Sequence, residues 1–571
     1  MTRLRYKIRD NSSPGNKPRV YFSCHPDDVK STFSALCDDI LKACDCLIYY
    51  KEDMADELPE DTRELDLLQM NLFVFPITLH LLQEDCPAVH TDLAFAKTHG
   101  KRILPIVCEQ DTETDLFSLL ERLFGKRQAV EKYSTDTTEI PYALKLKRHL
   151  EALAGMDFRN AVKDAFSASI FLSYRKKDRL YANELMRMIH SMPECRDIAV
   201  WYDEFLIPGE DYEVNIAEAL NESGMVLLLV TPSLLEPDAN GNANFVQRVE
   251  YPEAKRSGKP ILPAEKVPTN REALARDYEG LPVIVDAGDE TQLQTALLEY
   301  IGRISKKERL DTPWRDYLLG RAYYEGINME VNEEYGIALL TKAAEAGVPE
   351  AMDFLFQYYF DLEPPLEYDE EGDYWYATED YKETAGDWIY RKYLRFRELY
   401  GESDRRTLAE LERYAAYQVF LTSKLAEAID MYERSVEIRK NTYGENDRET
   451  IAAMYGLADA YDLYQFIFSA GLDPEEIEAM NLPSPFPLWR KCYQLSLEQF
   501  GSKDPDTLLY MDKLIHETKD VALIQQALVV YDELIREKTA VLSDKAPEVI
   551  DCLRKYTAYY EMISKYKKNE K

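Results

Sequence analysis

A duplication constrains this chain more than any other feature. Near the start it reads VYFS, with an Asp five residues after the Ser, then LIYY and later GKRILP. The series returns from residue 170 as IFLS, an Asp again five residues on, AVWY and GKPILP. Asp28 and Asp178 hold the same place in the two series, as do Gly100 and Gly258. Shared residues at shared offsets in a shared order indicate one domain built twice. Within each copy, short apolar runs alternate with segments of helical period. Phe33, Leu36, Cys37, Ile40 and Leu41, for example, fall on one helical face. Such alternation predicts a parallel sheet covered on both sides. In the second copy the sheet is expected to close with LPVIV (281–285), followed by a helix from Glu290 to about Ile304.

From about Thr312 the texture is helical only. LLGRAYYEG (318–326) and the stretch 335–355 pair Ala and Gly at helix-crossing positions. Three segments share G-x-x-D-x-x-T, beginning at Gly401, Gly444 and Gly501. The first two start 43 residues apart and the next two 57 apart, the extra length fitting the Pro-rich LDPEEIEAMNLPSPFP. Each Gly is placed to end one helix and each Asp to cap the next. Helical pairs at a period of about 40 residues predict a solenoid. An acidic, aromatic stretch, DLEPPLEYDEEGDYWYATEDY, reads as a loop within the array, and residues 1–18 as a polar leader.

Composition excludes several function classes. A length of 571 residues implies several domains, and 46% hydrophobic with 30% charged residues is a globular balance. The net charge of −35 repels polyanions, so no nucleic-acid partner is expected. Nine cysteines form no CxxC pair, which predicts buried thiols in a reducing compartment and neither disulfides nor a metal site. The N-terminus lacks an apolar signal core, and runs such as MVLLLV are too short to span a bilayer. The expected location is cytoplasmic, with no membrane partner. No GxxxxGK[ST], H-E-x-x-H or GxSxG motif occurs.

Residues 167–304 resemble a TIR (Toll/interleukin-1 receptor) domain through FLSYRKKD, WYDEFLIPGE and a Glu followed eight residues later by GKPILP. Residues 19–155 resemble a divergent TIR domain. Within 312–571, LGRAYYEG and AAEAGVPEAM resemble a Sel1-like repeat, and the G-x-x-D-x-x-T segments resemble tetratricopeptide (TPR) repeats of the kinesin-light-chain type. The resemblance implies a multidomain chain: two α/β flavodoxin-like domains with parallel five-stranded sheets, then an all-α solenoid. Ligands would sit at the carboxyl ends of the strands, at the topological switch point.

Many TIR domains cleave NAD between ribose and nicotinamide, and the resemblance implies that activity here, with NAD as substrate and no separate cofactor. Nicotinamide is a good leaving group, so the chemistry needs a carboxylate to hold the ribose hydroxyls and stabilise an oxocarbenium-like sugar. The family's Glu precedes the G-K-P-I-x-P strand by roughly two helical turns, which selects Glu250, with Glu253 as its rival one turn on. Ser173, Tyr174, Arg175, Lys176, Trp201, Asp203 and Phe245 are the expected substrate contacts; Trp201 also reads as core, and Arg175 and Lys176 also read as solvated loop charges. Several NAD-cleaving relatives carry a Trp four residues before the Glu. Here that position is Val246, so linear ADP-ribose and a cyclic isomer both stay open as products. In the first copy the matching position is Asp92, whose side chain is shorter by about 1.5 Å, and a non-catalytic partner domain is expected. His25, in that copy's first loop, reads as a ligand contact or, as is usual for a lone loop histidine, as a solvated side chain. The implied role is prokaryotic anti-phage or stress signalling, with protein partners or self-assembly acting through the TIR and TPR surfaces. The competing expectation is a scaffold without turnover.

Overall fold

The computed structural model describes residues 4–9, 17–109, 116–127, 129–133, 142–143, 145–146, 150, 156–202, 212–238, 241–305, 311–362, 366–368, 374–376, 381–421, 424–469, 483–539 and 547–569. The chain divides into two compact units, Met1–Leu339 with Lys545–Pro547, and Leu340–Asp544 with Glu548–Lys571.

The first unit holds both copies of the duplicated domain. In the second copy, β7 (Ala168–Ser173), β8 (Ile198–Trp201), β9 (Met225–Val230), β10 (Ile261–Glu265) and β11 (Val285–Asp286) form an all-parallel sheet in the order β11-β10-β9-β7-β8. Numbered within the copy this is 2-1-3-4-5, the flavodoxin-like order. The all-apolar β9 explains the arrangement. Met225, Leu227 and Leu229 pack into the core on one face, Val226, Leu228 and Val230 into the core on the other. A strand buried on both sides cannot alternate apolar with polar, and each Leu so buried contributes about 1.5–3 kcal/mol. The closing strand is shorter than LPVIV suggests. Pairing is confined to Val285 and Asp286, and Val283 is exposed.

In the first copy, β2 (Arg19–Phe22), β3 (Leu47–Lys51), β4 (Leu72–Ile77), β5 (Arg102–Val107) and β6 (Val130–Glu131) repeat the parallel order 2-1-3-4-5. The sheet has six strands rather than five. Leu4–Lys7, within the stretch read as a leader, forms β1 and pairs antiparallel with β3, with Leu4 buried in the core. The alternation Leu4-Arg5-Tyr6-Lys7 supplies an apolar inner face, a signal that a polar overall composition concealed.

The two copies cover the same sheet edge by different means. β1 lies along β3, whereas β8 meets the helical segment that follows the copy. Val200 N–H donates to Asn328 O at 2.8 Å, with Asn328 in the left-handed region (φ 56°), where Asn is tolerated. Arg315, in the helix Pro313–Glu325, donates to Ala165 O at 2.8 Å and pairs with Asp197; Tyr323 Oη donates to Arg196 O at 2.8 Å. These contacts explain why the boundary between units falls inside the helical region rather than at its start.

The second unit is a helical array in which helices pack on their neighbours along the chain, from Pro349–Asp361 to Pro547–Asn569. The G-x-x-D-x-x-T turns behave alike. Gly401, Gly444 and Gly501 have φ of 88°, 91° and 87°, which a side chain would strain. Asp404, Asp447 and Asp504 accept from backbone N–H groups two or three residues on, and Thr407, Thr450 and Thr507 are buried. One link was not foreseen. Arg405 grips Asp447 of the next turn at 2.8 Å and lies 4.1 Å over Tyr443; Arg448 grips Asp504 at 2.6 Å and lies 4.0 Å over Phe500. Pro505 occupies the third equivalent position, so this ladder ends there. Within the acidic stretch, Leu366–Tyr368 and Tyr374–Tyr376 pair as an antiparallel hairpin rather than a plain loop.

A chain ending at residue 339 should melt cooperatively and at a higher temperature than one ending at 311, because the shorter chain loses the Asn328 and Arg315 contacts on β8. Equal melting temperatures by calorimetry would show that these contacts do not stabilise the second copy.

Candidate functional site

β7 runs into the centre of its sheet, and its last residue, Ser173, stands at the carboxyl end where the strand order reverses. Ser173 Oγ donates to Glu250 Oε2 at 2.5 Å. Glu250 is only 9% exposed, an unusual position for a carboxylate. The segment that carries it explains this. Val246–Glu250 is a wide π turn leading into the helix Tyr251–Arg256, and Val246, Tyr251 and Ala254 anchor both to the core. Such turns re-aim side chains and often mark functional sites.

Around Glu250 lie groups that the sequence did not single out. Asn244, fully buried, donates to Leu234 O at 2.8 Å and Glu236 O at 3.0 Å. Tyr278, also fully buried, donates to Leu234 O at 3.0 Å. Burial pushes the Tyr278 phenol up; the Asn244 contact and the Arg175 cation oppose that, and the Glu250 carboxylate adds to it. Arg175 and Glu250 therefore both act on one buried phenol. Neither Asn244 nor Tyr278 belongs to a duplicated motif, and nothing in its local spacing marks it.

The expected contacts are distributed unevenly. Tyr174 is buried, with its ring 6.3 Å from Tyr202. Arg175 is half-buried and reaches Pro237 O at 3.5 Å, while Lys176 is exposed. Trp201 stacks on Phe171 at 4.9 Å, so it serves the core. Phe245 packs partly against the same core. Asp203, and the Pro208-Gly209 loop beyond it, lie outside the described residues. The rival Glu253 is held by Arg256 on the helix surface, in contacts of 2.6–2.9 Å. Ser173 is bonded to Glu250, which separates the two carboxylates.

The first copy builds the same corner and seals it. Asp92 lies in the π turn Ala88–Leu93, and Ser23 Oγ donates to its Oδ2 at 2.6 Å, the counterpart of the Ser173–Glu250 bond. Here, however, Lys51 Nζ lies 3.0 Å from Asp92 Oδ2 and Tyr21 Oη donates to the same oxygen at 3.2 Å. Asp92, Ser23 and Tyr21 are fully buried, and Lys51 is 1% exposed. Lys51 follows LIYY as Asp203 follows AVWY, so the repeat exchanges a base for an acid at one position. An internal counter-ion neutralises Asp92 and occupies the space beside it.

The shared Asp has a structural task in both copies. Thr78 Oγ1 donates to Asp28 Oδ2 at 2.5 Å, and Thr231 Oγ1 to Asp178 Oδ2 at 2.6 Å, tying the first loop to the end of the third strand. His25 is 6% exposed, so the expectation of a solvated loop histidine is corrected: its ring packs at 5.4 Å from that of His80.

No family model matches the sequence, and no curated protein matches it. Two solved structures of the TPR-like repeats of a Podosopora anserina protein described as a kinesin light chain are similar to part of the chain at 12% identity. They cover 39% of this chain and 91% and 92% of their own, with a TM-score of 0.26, a likeness too slight to assign a fold or a partner. No described helix is long and apolar enough to cross a membrane.

Removing one member of a buried ion pair strands the other, at a cost of about 3–5 kcal/mol. Lys51→Met should therefore destabilise the first copy strongly, and Lys51→Met combined with Asp92→Leu should recover most of the loss. Thermal melts of the two variants check this; equal losses would mean that Lys51 acts through packing alone.

Proposed function

We propose that the second copy is a TIR-type NAD glycohydrolase with Glu250 as its carboxylate, and that the first copy is its non-catalytic partner. The observation that carries this reading is the contrast between two equivalent corners. Both place a carboxylate beside the Ser that ends the first strand; in the first copy the buried Lys51 fills the space beside Asp92, and in the second Glu250 stands on the Ser173 hydroxyl with 9% of the residue exposed.

In this mechanism Ser173 holds one oxygen of Glu250, fixing the carboxylate at the carboxyl end of β7. Glu250 would bind the nicotinamide-side ribose and stabilise positive charge at its anomeric carbon as the bond to nicotinamide breaks. Nicotinamide leaves neutral with the bonding electrons. Water then adds to the anomeric carbon and releases a proton, giving ADP-ribose; capture by a nucleophile of the same molecule would instead give a cyclic isomer. Arg175 is suited to the pyrophosphate, and Val246 supplies no ring to fold the product back. In a chain of net charge −35, such a local cation would matter for an anionic substrate.

The helical array would serve as the assembly or sensing surface, in the manner of TPR and Sel1-like repeats that present faces to protein partners. A prokaryotic anti-phage or stress-signalling role in the cytoplasm is part of this proposal. The second reading, a scaffold whose TIR and TPR surfaces bind proteins without turnover, draws on the sealed first copy.

Purified full-length protein incubated with NAD should release nicotinamide under crowding or with a bound partner. Glu250→Ala should lower the rate by about a hundredfold or more, while Glu253→Ala and Asp92→Ala keep it near wild type. Absence of release from the wild type would leave the scaffold reading. Loss in Glu253→Ala alone would move the chemistry to the rival carboxylate.

A further inference from the structure

At the carboxyl ends of β2 and β4 the first copy gathers donors that the second lacks. His25 follows β2, Asp28 ends the turn Pro26–Asp28, and His80 lies in the helix Leu79–Gln83 after β4. One ligand atom from each falls within 4.8 Å of the others. Asp28 Oδ1 is 2.8 Å from His80 Nδ1, and Glu84 Oε2 is 3.5 Å from His25 Nε2. In the second copy the same alignment places Arg175, Asp178, Ser233 and Pro237 at these four positions. Only the Asp is shared, and its shared task engages Oδ2, through Thr78 or Thr231. In the first copy Oδ1 is left facing imidazole.

We propose that His25, Asp28 and His80 form a site for a divalent transition metal of the zinc class, with Glu84 orienting His25. Two imidazoles and a carboxylate are a donor set that suits zinc and its neighbours better than magnesium or calcium, which favour all-oxygen sites. Donors about 2 Å from one ion lie about 3–4 Å apart; the three ligand atoms here lie within 4.8 Å of one another. The supporting contacts are those a metal site needs. Thr78 holds the second oxygen of Asp28. Glu84 faces His25 Nε2, so that Nδ1, whose present contact with Asp27 N–H is long at 3.3 Å, is the donor toward the metal. His25 Nδ1 now caps the turn Pro26–Asp28 by accepting from Asp27 N–H, a contact that metal binding would exchange for the ion. His80, with 48% of its side chain exposed, provides the way in. The ligands come from two strand ends distant in sequence, which is why cysteine and histidine spacing predicted no metal.

The test uses full-length protein stripped with chelator and titrated with Zn²⁺ by calorimetry and with Co²⁺ by visible absorption. The site requires one Zn²⁺ per chain and a Co²⁺ d–d band, both surviving Ser233→Ala. His80→Ala, at an exposed position that tolerates truncation, should weaken binding at least about tenfold and abolish the band; His25→Ala should do the same. Failure of the wild type to bind Zn²⁺ at micromolar concentrations overturns the proposal. So does binding that His80→Ala leaves unchanged, which would place the ion elsewhere.

Discussion

A parallel sheet buried on both faces leaves its strand ends as the place where polar side chains can gather. Everything distinctive in the first unit follows from that constraint. With order 2-1-3-4-5, the first and third strands of each copy end side by side, and the loops after them meet the helix before the fourth. Ser23 and Ser173, Asp28 and Asp178, Asp92 and Glu250 are all residues of this corner. Each needs a partner because it is withdrawn from water, and each has one at hydrogen-bond distance.

Duplication followed by different choices of partner accounts for the contrast between the copies. A carboxylate in an apolar setting is costly unless it is paired. The first copy meets this cost with Lys51, an internal cation that leaves Asp92 fully buried. In the second, Ser173 Oγ donates to Glu250 and 9% of the residue stays exposed. The same divergence runs around the rest of the rim. His25, His80 and Glu84 stand in one copy where Arg175, Ser233 and Pro237 stand in the other. A single framework thus carries two corners with different side chains at equivalent positions.

The edges show a second form of the same economy. An open edge strand exposes unpaired backbone groups and invites association. The strand pair β3 and β8 occupies equivalent edges, covered by β1 in one case and by Asn328 in the other. The helical array answers a different problem, stacking repeats without a central core. The Arg405–Asp447 and Arg448–Asp504 links join each turn to the next, each Arg also lying on the ring just before the following Gly.

Much of this was legible in the chain itself. Local periodicity and repeated offsets were enough to determine two α/β copies, a helical array, the helix-ending glycines and the capping aspartates, because those features depend on residues close in sequence. Glu250 was singled out through a family resemblance and not by its offset from Gly258 alone, and β1 was hidden by the polarity of its outward residues. What only the tertiary structure decided is which side chains share a buried corner. Lys51 beside Asp92, Asn244 and Tyr278 behind Glu250, and His25 facing His80 each join segments that no local pattern relates. The physical reason is that charge pairing and hydrogen bonding act over a few ångströms in space, whatever the distance along the chain.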